Sequence, residues 1–231
     1  MPSNRKKQRT LEKYEPVQEK FYLFCEGERT EPLYFKGFEK EIKNNPIYKN
    51  LVFIKVEGLG KETLRVIYEA EQYVKDNKIS HAQIWCIYDK DSFPAKDFNA
   101  VSEYADNLNK KQGNVHYYVA WSNQCIEYWF ILHFDWYDSD NDRKYYRKYL
   151  HKKFADLGWK RYTKNNDELF YILTKHGNPK LAIQRATRRL QECEGKTDAD
   201  SIPATKVHLL VSQLAKYLPE DIKHCYLREE K

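Results

Sequence analysis

FYLFCEGERTEPLYFKGF, residues 21–38, decides the fold class. Residues 21–25 form an unbroken apolar run of strand length, the form taken by a strand buried on both faces of a parallel sheet. Glu26-Gly27-Glu28 ends the run, and Thr30-Glu31-Pro32 opens a helix to about Lys43, with Thr30 as N-cap and Pro32 in the first turn. The same strand-then-helix unit recurs downstream. LVFIKV (51–56) is a second strand, Gly58-Leu59-Gly60 a turn, and 61–76 an amphipathic helix with Leu64, Ile67, Tyr68 and Val74 on or near its apolar face. QIWCIY (83–88) is a third strand running into Asp89-Lys90-Asp91, a helix spans about 95–109, and HYYVAW (116–121) is a fourth strand. This β-α-β-α-β-α-β alternation predicts an α/β fold with a parallel four-stranded sheet covered by helices on both faces.

After Ser122 the periodicity is mainly helical, over roughly 124–134, 142–156, 166–175, 179–193 and 203–217, with a polar loop at 195–202. The expected organisation is a basic arm (1–18), an α/β core (19–122), a C-terminal helical extension packed on it (123–220) and a short tail (221–231). The 231 residues suit one elaborated domain or two small ones, at roughly 150 residues per domain.

Composition removes several classes. With 41% hydrophobic residues, 19 Tyr, 11 Phe and 5 Trp the chain can fill a core, which excludes wholesale disorder. That holds despite a mean hydropathy of −0.88. The longest apolar run, 128–134, is too short to span a bilayer. The opening MPSNRKKQRT has no apolar segment behind its bases, so no secretory signal is read and no membrane role is expected. The five cysteines form no CxxC pair and no zinc-like spacing. They read as buried small hydrophobes in a reducing, cytoplasmic setting. Forty Lys+Arg against 34 Asp+Glu leave a net charge of +6. Arg5, Lys6, Lys7 and Arg9 form an arm that is either solvated or in contact with nucleic acid.

In open parallel sheets ligands bind beyond the carboxyl ends of the strands. The first strand delivers Glu26 there and the third delivers Asp89 and Asp91, and these two strands can be neighbours. Three carboxylates at one edge repel unless a cation lies among them. Oxygen-only ligands favour Mg²⁺ or Mn²⁺ over zinc. Gly27 allows a tight turn and close approach of phosphate to backbone N–H groups. Acids at strand ends also cap helices or form solvated turns, and DxD is common by chance. Two such devices at one edge favour a metal site.

Other residues carry weaker signals. Glu127, in the apolar run CIEYWF, is a further metal ligand or a paired carboxylate at a cleft. Ser122 and Asn123 cap the next helix or bond phosphate. Arg29 clamps phosphate or is an exposed helix-start charge, and Glu31 complements the helix dipole. Lys61, after Gly58 and Gly60, faintly echoes a phosphate loop but lacks the Walker spacing, so no ATP site is expected. RKYYRKYLHKK (143–153) holds six Lys/Arg and no acid. Arg143, Arg147 and Lys148 share roughly one helical face suited to a phosphate backbone, with tyrosines that either stack on bases or pack inward. RATRR (185–189) adds a second basic cluster. No pattern of a dedicated sequence-reading module is present.

An apolar strand ending in Glu-Gly and another ending in Asp-x-Asp resemble the Toprim domain of topoisomerases, bacterial primases and OLD-type nucleases. More narrowly, FYLFCEGERTEPLYFKGF (21–38), IWCIYDKDSF (84–93), WSNQCIEYWFILHF (121–134) and IPATKVHLLVSQL (202–214) resemble the RloB family of prokaryotic, restriction-locus-associated defence proteins. The likeness runs from residue 20 to about 217. Several family members show Pro where this chain has Gln124.

The resemblance implies a four-stranded Toprim-like core, with Glu26 as general acid/base or metal ligand and Asp89 and Asp91 as Mg²⁺ ligands. It implies phosphodiester chemistry, and hydrolysis is the simpler form because no separate nucleophile-bearing domain fits in this length. A tyrosine nucleophile stays open among nineteen candidates. Because the likeness covers 202–214, Lys206 and His208 are candidates to fold back to the site as a cation and a proton shuttle. The implied role is a metal-dependent nuclease in anti-phage defence, acting on DNA or on RNA such as tRNA and controlled by a partner ATPase. The rival is a non-catalytic nucleic-acid-binding or regulatory subunit of the same fold. Self-association into a homo-oligomer is left open.

Overall fold

The computed structural model describes residues 18–159 and 161–227. The bases Arg5, Lys6, Lys7 and Arg9 lie outside those residues, as do 228–231 of the tail. The chain runs β1 (Glu19–Cys25), α1 (Thr30–Asn44), β2 (Val52–Gly58), α2 (Thr63–Asp76), β3 (Ala82–Asp89), α3 (Ala95–Asn109), β4 (Val115–Asn123), α4 (Glu127–Leu132), α5 (Arg143–Asp156), α6 (Leu169–His176), α7 (Pro179–Glu192), β5 (Ala204–Thr205), α8 (Val207–Ala215) and α9 (Glu220–Lys223).

The strands form one sheet in the order β2-β1-β3-β4-β5. β1 to β4 are parallel and β5 is antiparallel to β4. The chain steps outward from β1 to β2, then crosses back to β3 on the other side of β1. The direction of travel therefore reverses between β1 and β3, which opens a crevice beyond their carboxyl ends. Right-handed crossovers in opposite directions place α1 and α2 on opposite faces of the sheet. The core divides accordingly. Phe21, Leu23 and Cys25 of β1 point into a cluster with α1 and the helices after β4. Tyr22 and Phe24 point the other way, into a cluster with α2 and α3. All five side chains are buried, as a strand covered on both faces requires.

The fold is thus α/β with helices on both faces, but the sheet has five strands rather than four. The extra strand lies where a helix over 203–217 is expected. The Thr205 hydroxyl donates to the Trp121 carbonyl at 3.0 Å, lies 3.0 Å from the Ser122 hydroxyl, and accepts the Val207 N–H at 3.1 Å. One side chain thereby holds a short strand on β4 and satisfies the first N–H of the helix that follows, and α8 starts only at Val207, with Lys206 as its N-cap. A two-residue strand leaves no alternation to read.

Three local expectations change for similar reasons. Ser122 and Asn123 do not cap α4. They belong to β4, where the Asn123 side-chain amide donates to the Ala199 carbonyl at 2.8 Å. The Asn123–Gln124 peptide is cis. Thr30 is not the N-cap of α1, since Arg29 takes that position and the Thr30 hydroxyl instead donates to the Lys164 carbonyl at 3.3 Å. The chain also stays in the core beyond residue 220, because Tyr226 is buried and packs edge-on against Phe38.

α1 and α6 approach closely at Gly37, where a Cβ would lie 2.3 Å from Phe170. Cys25, Cys86, Cys125 and Cys193 are buried free thiols, and Cys225 is half-buried. Among the described residues, no helix is long and apolar enough to cross a membrane.

Candidate active site

Three strand ends supply the acids. Glu26 follows β1, and its backbone N–H donates to the Ile87 carbonyl of β3 at 2.8 Å. One carboxylate oxygen of Glu26 accepts the Asp89 N–H at 3.0 Å, and the other accepts the Thr63 hydroxyl, from the first turn of α2, at 3.5 Å. Asp89 is the last residue of β3 and is buried. Asp91, two residues on, has a φ of 36°, a left-handed conformation that Asp tolerates better than most residues. Its N–H donates to the Gln124 carbonyl and that of Lys90 to the Ser122 carbonyl, both at 2.9 Å, so the DKD turn is fastened to the end of β4. Glu127 opens α4 with 0% exposure. Its Oε1 accepts the Tyr162 hydroxyl at 3.2 Å and Arg147 Nε at 3.3 Å.

A fifth carboxylate, Glu31, joins them. It lies in the first turn of α1 and is buried, 6% exposed. Read from sequence it serves the helix dipole, but it folds back across the turn after β1. A Cβ at Gly27 would sit 2.3 Å from its Oε2. Gly27 therefore makes room for the Glu31 carboxylate as well as for a tight turn. A cavity of about 320 Å³ opens here, lined by Glu26, Glu28, Glu31, Asp89 and Asp91, with Arg29 and Lys164 as its cations.

Crowding sets the electrostatics. Burial, then repulsion from Glu31, Glu127, Asp91 and Glu26, holds the Asp89 carboxyl well above the usual carboxylate range. Burial also pushes Glu26 up to about 7; the Asp89 N–H opposes the rise, while Glu31 and Asp91 add to it. Glu31 is raised by burial and by Glu127, and its own N–H and Lys164 offset part of this. Asp89 Oδ1, Asp91 Oδ1 and Glu127 Oε2 are buried with no hydrogen-bond partner. Such orphaned anionic oxygens are costly. As the side chains stand, no group of three or more His, Cys, Asp or Glu among the described residues converges to hold an ion. Ligation would need the carboxylates to turn inward across the cavity. The donor chemistry still fits a hard divalent cation, since the orphaned atoms on Asp89, Asp91 and Glu127 are carboxylate oxygens.

The basic residues fall into three groups. Arg29 lines the cavity as an exposed side chain. Arg143 and Arg147, on α5, do not present a free basic face: Arg143 pairs with Asp91 at 2.8 Å and Arg147 with Glu127 at 3.3 Å. Tyr146 between them is buried, while Tyr145 is 47% exposed. Lys148 and Lys61 are exposed and do not line the cavity.

Lys206 and His208 also stand apart from the acids. Lys206 pairs with Asp198 at 2.9 Å and lies over the Trp121 ring. His208 is buried, 3% exposed, with Nδ1 3.1 Å from the Thr205 carbonyl. Burial lowers its pKa to about 4. The β5–α8 turn holds both residues against β4 instead of folding them into the cavity. Arg185 and Arg189 of the second basic cluster donate to the backbone carbonyls of Leu132, Pro203 and Ile202. Arg188 stacks on Trp136.

Glu31, Lys164 and Tyr162 are the site residues that sequence reasoning missed. Glu31 carried a usable signal, because an acid in the first turn after the β1 turn must sit near the sheet edge. Tyr162 and Lys164 lie in an irregular segment whose placement depends on tertiary packing.

A profile of the RloB-like protein family matches residues 21–214 of this chain. The searches for similar curated proteins and for similar solved structures returned no match.

Proposed function

This chain belongs to the RloB-like protein family, and on that premise we propose that it is a divalent-metal-dependent nuclease that hydrolyses phosphodiester bonds in DNA or RNA. The observation that carries the reading is the set of buried, unpartnered oxygens on Asp89 and Asp91, which line the crevice at the β1/β3 switch point, and on Glu127, which is enclosed close enough to repel Asp89. That placement, with Glu-Gly after β1 and Asp-x-Asp after β3, also supports the Toprim-like assignment.

In this reading Asp89, Asp91 and Glu127 hold Mg²⁺ or Mn²⁺, because each keeps an oxygen free of other partners. When bound, the cation polarises a phosphoryl oxygen and offsets the negative charge that develops there. Glu26 is the general acid/base, since donors from Asp89 and Thr63 fix both of its oxygens. Arg29 and Lys164 line the cavity where a phosphate would enter and supply cations to it. Action in anti-phage defence, under a partner ATPase, is the setting the family resemblance suggests, and a cytoplasmic location goes with it.

The test is cleavage of labelled DNA and RNA by wild type, Glu26→Gln and Asp89→Asn with Mg²⁺, Mn²⁺ or EDTA, alongside a phage-challenge assay in cells. Cleavage that needs metal and is lost in both variants supports the reading. Cleavage that persists in EDTA, or at the wild-type rate in Asp89→Asn, rules it out. Wild-type protein that binds nucleic acid and protects cells, with the variants equally protective, favours the non-catalytic subunit.

A further inference from the structure

Two arginines of α5, one turn apart, each hold a different acid of the site: Asp91, which lines the cavity, and Glu127, which is enclosed at the start of α4. Arg143 Nη1 lies 2.8 Å from Asp91 Oδ2, and Arg147 Nε lies 3.3 Å from Glu127 Oε1. The i and i+4 positions place both guanidiniums on one helical face. The Asp142 carboxylate, which accepts the N–H groups of Lys144 and Tyr145, fixes the start of that helix. On both acids the pairing is partial, because the other oxygen, Asp91 Oδ1 or Glu127 Oε2, is buried without a partner.

The partners also differ in freedom. Glu127 is fully enclosed and Asp91 is 25% exposed, whereas Arg143 and Arg147 are 45% and 34% exposed. The guanidiniums can swing into solvent while the carboxylates stay. A divalent cation bound at about 2.1 Å carries twice the charge at shorter range than a guanidinium, so it wins the competition for these oxygens. Arginine does not lose its charge, so a displaced guanidinium remains a strong bidentate phosphate ligand.

We propose that Arg143 and Arg147 are exchangeable counter-ions, which hold Asp91 and Glu127 in the metal-free protein and are released by metal loading to grip the phosphates of the substrate. This inference rests on the metal-dependent nuclease reading and adds to it a coupling between two ligands. Metal and nucleic acid then favour each other's binding reciprocally. Once released, the arginines are substrate-binding residues, and the pairs seen here belong to the resting state.

The experiment uses the full chain and two binding measurements. Mn²⁺ affinity is measured by calorimetry on wild type and on Arg143→Gln/Arg147→Gln, with thermal unfolding as the folding check. Affinity for a labelled DNA duplex and a labelled RNA hairpin is measured across a salt series, with Ca²⁺ as a probe metal and with EDTA. The double variant is expected to bind Mn²⁺ several-fold more tightly. Wild type is expected to bind nucleic acid more tightly with Ca²⁺, with a log–log salt slope steeper by roughly one to two phosphate contacts; the double variant shows no such gain. Equal or weaker Mn²⁺ binding by a folded double variant, or a wild-type salt slope that metal does not change, overturns this inference alone. Wild type that binds no Mn²⁺ overturns the metal-site reading and this inference with it. The wild-type salt series keeps the test decisive if the double variant does not fold.

Discussion

The main-chain N–H of Asp89 donates to the Glu26 carboxylate across 3.0 Å, joining the carboxyl ends of β1 and β3. The bond crosses the place where the strand order reverses direction. It orients Glu26 and opposes the rise in its pKa, yet it gives nothing to the side chain of Asp89, whose Oδ1 is buried and unpartnered. Asp89 is therefore the residue at which stability and function are most opposed.

Asp89→Asn should stabilise the metal-free protein. It replaces a buried carboxyl, surrounded by four other acids, with a neutral isostere. A gain of about 1–3 kcal/mol is expected at neutral pH, read as a higher Tm. Because burial and the neighbouring acids raise the Asp89 carboxyl above its unfolded value, the gain should grow as pH rises. A lower Tm for the variant across this range would contradict the crowding argument.

The pH dependence of wild type follows from the same linkage. The Glu26 carboxyl is raised to about 7, so between the unfolded carboxylate value, about 4.3, and about 7 the folded state binds more protons than the unfolded one. Stability of the metal-free protein should fall as pH rises through that window, and the Asp89 carboxyl, also raised by burial and by the neighbouring acids, adds to the fall. Mg²⁺ should offset the loss, and more so at higher pH, because it binds the deprotonated acids of the folded state. Thermal unfolding with EDTA and with Mg²⁺ over this range measures both effects.

Gly27→Ala should disable the site at modest cost to the fold. The new methyl would meet Glu31 Oε2 at 2.3 Å, so the carboxylate must leave the turn. Weaker Mn²⁺ binding and cleavage reduced at least tenfold are expected, with a Tm close to that of wild type. Wild-type cleavage in this variant would remove Glu31 from the site.

Sequence alone made the parallel core and its acidic edge legible, because buried strands are continuous apolar runs and acids at their ends break those runs abruptly. Glu26, Asp89 and Asp91 stood out for that reason. Glu31 did not: its position in the first turn after β1 puts it near the sheet edge, but the pattern does not tell whether its carboxylate faces solvent or the cavity. The charges of α5 misled for a related reason. Helical periodicity puts Arg143 and Arg147 on one face, but only the packing of α5 against α4 turns that face toward Asp91 and Glu127. β5 was invisible because its two residues are fixed by Thr205 side-chain bonds rather than by a hydrophobic pattern.

His208→Gln should leave the pH profile of cleavage unchanged. The imidazole is buried with its pKa lowered to about 4, so it stays neutral across the working range, and it stands apart from the acids. A shift in the profile with the fold intact would return His208 to the proton path.

The most direct measurement is calorimetric titration of Mn²⁺ into metal-free wild type and Asp89→Asn at slightly alkaline pH, with unfolding curves on the same samples. Saturable binding by wild type, lost or weakened at least tenfold in a variant that is more stable, is the expected result. Equal affinity in the two proteins, or no binding by wild type, contradicts a metal site at the ends of β1 and β3.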